Sequence, residues 1–215
     1  MCKLYYNAFT LAEVLIVLTI IGIIASMTIP GLLGQSKDLE MKAAWKKGFS
    51  DLNQIFNNVI LEEGDLSNVC TGGVAFKDTF VKYVKPLNKC GSGVTPGCFS
   101  AFSTTYKSLT GQSVSAGAFD DGQVLLANGA FVMFENPYNS YSDPVCVAWY
   151  DVNGYKKAPN QLGRDVFGVQ FLKNKIVPLG SPDSTLGYAT NCDRSDPSIN
   201  AGMACAAYVL RNQDY

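Results

Sequence analysis

The chain has 215 residues, 47% of them hydrophobic and 16% charged, with a formal net charge of -1, seven cysteines and no histidine. That length accommodates one domain with its own core plus an additional segment. Lack of histidine removes the commonest general base, the commonest transition-metal ligand and every Ser-His or Cys-His nucleophile arrangement, and the scattered Lys and Arg residues point to no nucleic-acid surface.

The first element is the apolar run "AFTLAEVLIVLTIIGIIASMTIPGLL", residues 8–33, in which Glu13 is the one charged side chain between Lys3 and Lys37. Phe9 to Ile29 supplies about 20 residues, enough at about 1.5 Å each to cross a hydrocarbon layer of about 30 Å. A cleaved secretory signal fits less well, because the run is long and Ala25-Ser26-Met27 is a weak cleavage site. A carboxylate near the middle of a span costs about 3 kcal/mol, and less toward its end, so Glu13 calls for a partner.

The stretch "FTLAEVLIVLTIIGIIASMTIP" resembles the N-terminal signature of type IV pilins and of the pseudopilins of type II secretion, carried here by Phe9, Glu13, Gly22 and Pro30. The resemblance implies a leader over 1–8 and a membrane prepilin peptidase that cuts between Ala8 and Phe9 on the cytoplasmic side and methylates the new amino group. Ala8 stands where that family usually has Gly. It further implies that the Glu13 carboxylate neutralises the N-terminal amine of a neighbouring subunit during assembly. A pair of opposite charges is tolerable in lipid where each alone is not, and the pairing sets the register of subunits. The implied partners are identical or related pilin subunits, the peptidase, the inner-membrane assembly machinery and the membrane itself. The implied location is a single pass in the inner membrane with the N-terminus cytoplasmic and the rest periplasmic, then extracellular after assembly. Lys37, Lys42, Lys46 and Lys47 lie beyond the span and by themselves argue for the opposite orientation.

Beyond a span assigned to 9–33, Pro30, Gly31 and Gly34 predict a kink or loosening. The helix then continues over 34–62 as an amphipathic segment, with Met41, Trp45, Phe49, Leu52, Phe56 and Val59 forming one apolar face. Residues 63–215 read as a β-rich globular head. Phe76 to Val84 predicts a short helix, and Cys90 to Cys98 a loop. "QVLLANGAFVMFE" predicts a hairpin around Asn128-Gly129. "VCVAWYDV" predicts one strand, "DVFGVQFLKNKIVPL" two more around Lys173-Asn174, and "NAGMACAAYVLRN" a short helix or strand. The expected fold class is α+β: a long N-terminal helix packed on an antiparallel sheet of four or five strands, an arrangement that resembles the pilin head.

Six cysteines follow the span: Cys70, Cys90, Cys98, Cys146, Cys192 and Cys205. An even set beyond a membrane segment predicts up to three disulfides in an oxidising space, with about 15 possible pairings. Short loops favour Cys90 with Cys98 and Cys192 with Cys205, which leaves Cys70 with Cys146. No Cys-x-x-Cys spacing supports a zinc site.

In "DVNGYKKAPNQLGRDVF", Asp151, Asn153 and Asp165 offer hard oxygen ligands of the kind calcium takes, and some pseudopilin heads hold calcium in an acidic loop. Asx residues beside Gly154 and Gly163 also form turns without any metal. Apart from calcium, no cofactor is expected. The exposed aromatics of "NPYNSYSDP" suit either an adhesive tip or an ordinary loop. The leading expectation is a non-enzymatic filament subunit of a pilus or secretion pseudopilus; the alternative is a monomeric, membrane-tethered extracytoplasmic binding domain or enzyme.

Overall fold

Thr10 and Glu13 start the longest element. A Thr-x-x-Glu sequence just ahead of an apolar run is a helix-start signal, and helix α1 runs over Leu11–Glu63, 53 residues, without a break at Pro30. The computed structural model describes residues 10–66, 69–90, 105–114, 117, 119–135, 146–186 and 191–215. The chain divides into two compact units, one through Glu40 and one from Met41 to Tyr215.

In the first unit the apolar residues of α1 are exposed, from Leu11 to Leu33. Its hydroxyls bond back to the helix's own carbonyls: Thr19 to Leu15 at 2.7 Å, Ser26 to Ile23 at 2.7 Å and Thr28 to Ile24 at 3.0 Å. This satisfies polar groups that lipid could not.

In the second unit the amphipathic half of α1 buries the face read from its periodicity. Trp45, Leu52, Phe56 and Val59 are all at most 3% exposed, and Gly48 lies on the same face. Trp45 stacks on Phe167 with ring centroids 5.0 Å apart, and its indole Nε1 donates to the Ala206 carbonyl at 3.1 Å. Gly48 permits the close approach of α1 to the sheet, because a Cβ there would stand 2.7 Å from Tyr150 Cε1. Gly48→Val is therefore expected to destabilise the second unit by about 1–3 kcal/mol, as overpacking does, read as a lowered denaturation midpoint. An unchanged midpoint would mean the helix shifts freely.

Six strands form one antiparallel sheet in sequential order: β1 (Pro86–Cys90), β2 (Gly122–Leu126), β3 (Phe131–Glu135), β4 (Cys146–Asp151), β5 (Val166–Leu172) and β6 (Lys175–Pro178). The β2–β3 turn follows its sequence cue. Gly129 adopts φ 89°, and the Asn128 side-chain oxygen accepts from Ala130 N at 3.0 Å. Strand β1 makes the sheet one strand larger than the expected four or five. Its carbonyl at Cys90 accepts from the buried Lys77 Nζ at 2.8 Å, which ties it to helix α2 (Gly73–Phe80). That helix lies three to four residues earlier than the predicted Phe76 to Val84.

Both faces of the sheet are covered. Val132, Phe134, Ala148 and Phe171 join α1 and α2 in one core. Phe131, Met133, Val147 and Trp149 face a second core with Tyr106, Phe119, Leu162, Leu179 and Met203. Such strands are buried almost throughout rather than alternately. The result is the α+β architecture expected, a long helix on an antiparallel sheet, pilin-like in form, with a further layer over the outer face.

Cys70 is bonded to Cys146 with Cα atoms 5.5 Å apart, linking the α1–α2 connection to β4. Cys192 is bonded to Cys205 at 4.8 Å, fastening helix α3 (Cys205–Leu210). Cys90 is also disulfide-bonded; its expected partner Cys98 lies outside the described residues, as do Ala8, Phe9 and the "NPYNSYSDP" segment.

Candidate functional site

The N-terminal turn of α1 holds the one carboxylate of the apolar run. Thr10 donates to Glu13 Oε2 from both its main-chain N and its hydroxyl, each at 2.8 Å, and the Glu13 N–H donates to Thr10 Oγ1 at 3.2 Å. This reciprocal capping box satisfies helix N–H groups that would otherwise lack acceptors. It also draws Glu13 back toward the start of the helix, where the dipole favours a negative charge. Oε2 takes both Thr10 donors, whereas Oε1 has no hydrogen bond among the described residues. Glu13, Val14, Val17 and Leu18 line one shallow apolar cleft. Thr10 was not singled out from the sequence, although the Thr-x-x-Glu spacing is the signal for it.

Gly22 and Pro30 lie in the same exposed stretch. A Cβ added at Gly22, Gly31 or Gly34 would meet nothing within 4 Å. No described residue requires these positions to be small.

Asp151, Asn153 and Asp165 come together in the β4–β5 corner of the second unit. Asp151 accepts from the Tyr106 hydroxyl at 2.8 Å and from the amides of Asn153 and Gly154 at 3.2 and 2.9 Å. Asp165 accepts from the amides of Asn160 at 2.8 Å and Gln161 at 2.6 Å. Both carboxylates are fully buried. Their oxygens thus order a loop and tie it to the 105–114 segment, while Asn153 Oδ1 is buried with no hydrogen-bond partner among the described residues. A cation at this oxygen set would replace several of those amide and hydroxyl bonds.

Burial, and after it the nearby Asp165 charge, push the Asp151 carboxyl up from its ordinary 3.8 to about 7, against the Tyr106 hydroxyl and the Asn153 and Gly154 amides. Burial likewise pushes Asp165 up to about 6, against the amides of Gln161 and Asn160. A carboxyl raised in the folded state binds more protons folded than unfolded. Its contribution is therefore complete below about pH 4 and is lost as pH rises through 6 to 7. The second unit is expected to melt at a higher temperature at pH 5 than at pH 8. Asp151→Asn should flatten that dependence, and a wild-type melting point that rises over this interval would contradict the assignment.

A further acidic group, Asp120, Asp121 and Glu135, has carboxylate oxygens all within 4.8 Å of one another. The β2–β3 register, Gly122 opposite Phe134, brings it together. Only the hairpin register would have shown it in the sequence.

Among the described residues one helix, α1, is long and apolar enough to cross a membrane, and no described residue covers its most apolar stretch. Neither a curated protein nor a solved structure matches the chain. The family model described as the prokaryotic N-terminal methylation motif matches residues 4–29, covering Glu13 and its capping box. Such a motif implies processing by a prepilin peptidase and assembly into pilin polymers, and with the single apolar helix it fits a single-pass membrane-anchored protein. This chain thus carries the prepilin-type motif of type IV pilins and pseudopilins, on a fold built as theirs are from a long N-terminal helix and an antiparallel sheet.

Proposed function

We propose that the protein is a structural subunit of a type IV pilus or a secretion pseudopilus, cut between Ala8 and Phe9 and polymerised through α1. The observation that carries this reading is the apolar run of α1, exposed on every side yet holding one carboxylate, Glu13, whose Oε1 has no hydrogen bond among the described residues. Lipid explains the apolar surface and an incoming amine explains the carboxylate. The unfilled space around Gly22 suits close approach of a second helix, as small residues do in membranes.

The head lies on the periplasmic side in this reading, where Cys70–Cys146 and Cys192–Cys205 remain oxidised. Covering the sheet on its outer face makes the head larger than a bare helix-and-sheet unit, which favours a pilus subunit, and a minor one, over a pseudopilin. The test is intact mass and N-terminal sequencing after co-expression with a prepilin peptidase. A chain that begins at N-methylated Phe9 supports the proposal. One that begins at Met1 favours a monomeric tethered domain, and one that begins near Thr28 a secreted soluble domain.

A calcium ion held by Asp151, Asn153 and Asp165 is a secondary reading, favoured by the Asn153 Oδ1, buried without a hydrogen-bond partner among the described residues. Calorimetric titration with calcium decides it: heat of binding that Asp165→Asn removes supports the ion, and no heat in the wild type sinks it.

A further inference from the structure

The second unit carries an apolar knob and, elsewhere on its surface, an apolar hollow. The knob is Leu61 in the last turn of α1, 82% exposed, the most exposed large apolar side chain of that unit among the described residues. The hollow is a cleft of about 200 Å³ walled by Leu52, Ile55, Val84 and Leu126, with Asp51, Lys85, Asn128 and Tyr150 as its polar groups. That volume is below the about 300–1,000 Å³ of small-molecule sites and near the about 150 Å³ of a cavity that holds benzene. It suits one aliphatic side chain. Ile55 and Leu61 are six positions apart, about 120° round the helix and about 9 Å along it, so Leu61 does not fill the cleft of its own copy.

The polar groups of the cleft are short of partners. Tyr150 is 3% exposed; its hydroxyl oxygen accepts from Asn128 Nδ2 at 3.3 Å, and its own O–H has no acceptor among the described residues. Lys85 and Asp51 form no ion pair among them either. A buried donor without an acceptor is costly, which points to an acceptor from outside the copy.

The last turn of α1 offers what the cleft lacks. It contains Glu62 and Glu63 and no basic residue, at the end of the helix where the dipole is negative and carbonyls lack helical donors. Lys82 pairs with Glu63 at 2.8 Å and the Tyr83 hydroxyl donates to Glu62 Oε2 at 2.9 Å, which leaves the turn acidic. Acidic carbonyl-rich surface complements Lys85 and the Tyr150 O–H. Asn57 and Asn58, exposed one turn before Leu61 on the same face, offer amide N–H groups to Asp51.

We propose that Leu61 of one copy seats in the cleft between Ile55, Val84 and Leu126 of the next copy, with the acidic end of α1 set on Lys85 and Tyr150. Knob and hollow occupy different places on the unit, so the contact is heterologous: each copy gives one and receives one. Such a contact propagates instead of ending at a pair. The proposal rests on the filament reading of α1 and names the surface by which neighbouring heads hold one another.

The test uses full-length chains carrying Leu61→Cys, Lys85→Cys or both, co-expressed with a prepilin peptidase and the assembly machinery. Filaments are sheared from the cells and treated with a short bismaleimide, wild-type filaments serving as the blank. The double variant is expected to give a ladder of subunit multiples, a mixture of the two single variants a dimer and nothing larger, and each single variant alone neither. Leu61→Ala should lower filament yield by about tenfold or more, the effect of losing one buried leucine, with the denaturation midpoint of the unassembled chain unchanged. Filaments of the double variant that stay unlinked overturn the proposal. Dimers from Leu61→Cys alone overturn it in favour of a symmetric contact, and a product that is no multiple of the subunit mass overturns it in favour of another protein in the cleft. A wild-type chain that forms no filament overturns the filament reading itself, a failure distinct from the others.

Discussion

Glu13→Leu is expected to abolish filament assembly while leaving the chain firmly in the membrane. Removing the carboxylate lowers the cost of insertion by up to about 3 kcal/mol. Under the proposed pairing it also leaves a neighbour's amine alone in an apolar setting, and breaking such a pair costs about 3–5 kcal/mol, more than a hundredfold in an equilibrium. Glu13→Gln separates two roles of the side chain. Glutamine can still accept from Thr10 and complete the capping box, but it carries no charge. If charge pairing drives assembly, Gln should fail as completely as Leu, and Asp should recover part of the yield. Filaments sheared from cells and counted against total subunit give the measurement. Wild-type yield from Glu13→Leu would leave the chain a simple tether.

Trp45→Ala should destabilise the second unit more than any other truncation on α1. The side chain is 0% exposed, stacks on Phe167, meets Phe49 and Tyr150, and donates to the Ala206 carbonyl. Loss of a large buried aromatic costs about 3–5 kcal/mol, a large part of the stability of a domain this size. Trp45→Phe keeps much of the packing and deletes the hydrogen-bond donor, for roughly 1–2 kcal/mol more directly assignable to Ala206. Denaturant titration of the full chain in detergent, followed through the head, reads both. A Trp45→Ala midpoint within error of wild type would mean that α1 is not part of the head's core.

Several of these elements were plain in the sequence because local chemistry and tertiary packing agree there. Trp45, Leu52, Phe56 and Val59 repeat at helical spacing and all reach the core. Asn128-Gly129 and Lys173-Asn174 both sit at turns, and the strands beside them pair in the expected order. Strand β1 was not legible. Its sequence, Pro-Leu-Asn-Lys-Cys, contains residues that strands usually avoid, and what makes it a strand is β2 alongside and Lys77 on its last carbonyl. Helix α1 continues through Pro30, where the sequence predicts a kink or loosening rather than an end.

The outer layer was hidden for another reason. Tyr106, Leu162 and Leu179 follow no common period, and side-chain bonds hold their segments together, such as Gln161 Nε2 to the carbonyls of Ser108 and Leu109 at 3.1 and 2.8 Å. Contacts across some fifty residues leave no local trace. In the β4–β5 corner the residue types were right for oxygen chemistry, but only the fold shows that amides of the same loop already occupy Asp151 and Asp165.

The bond from Trp45 to Ala206 spans 161 positions of sequence, and that separation sets an order of events during synthesis. At about 5–20 residues per second, roughly ten to thirty seconds pass between the appearance of Trp45 and that of its acceptor. For most of that interval, until β5 and β6 have emerged, the apolar face of Trp45, Leu52 and Phe56 has no complete sheet to lie on. A nascent chain therefore shows a sticky amphipathic helix to whatever is nearby, and a holding chaperone is the natural cover until the last strands arrive.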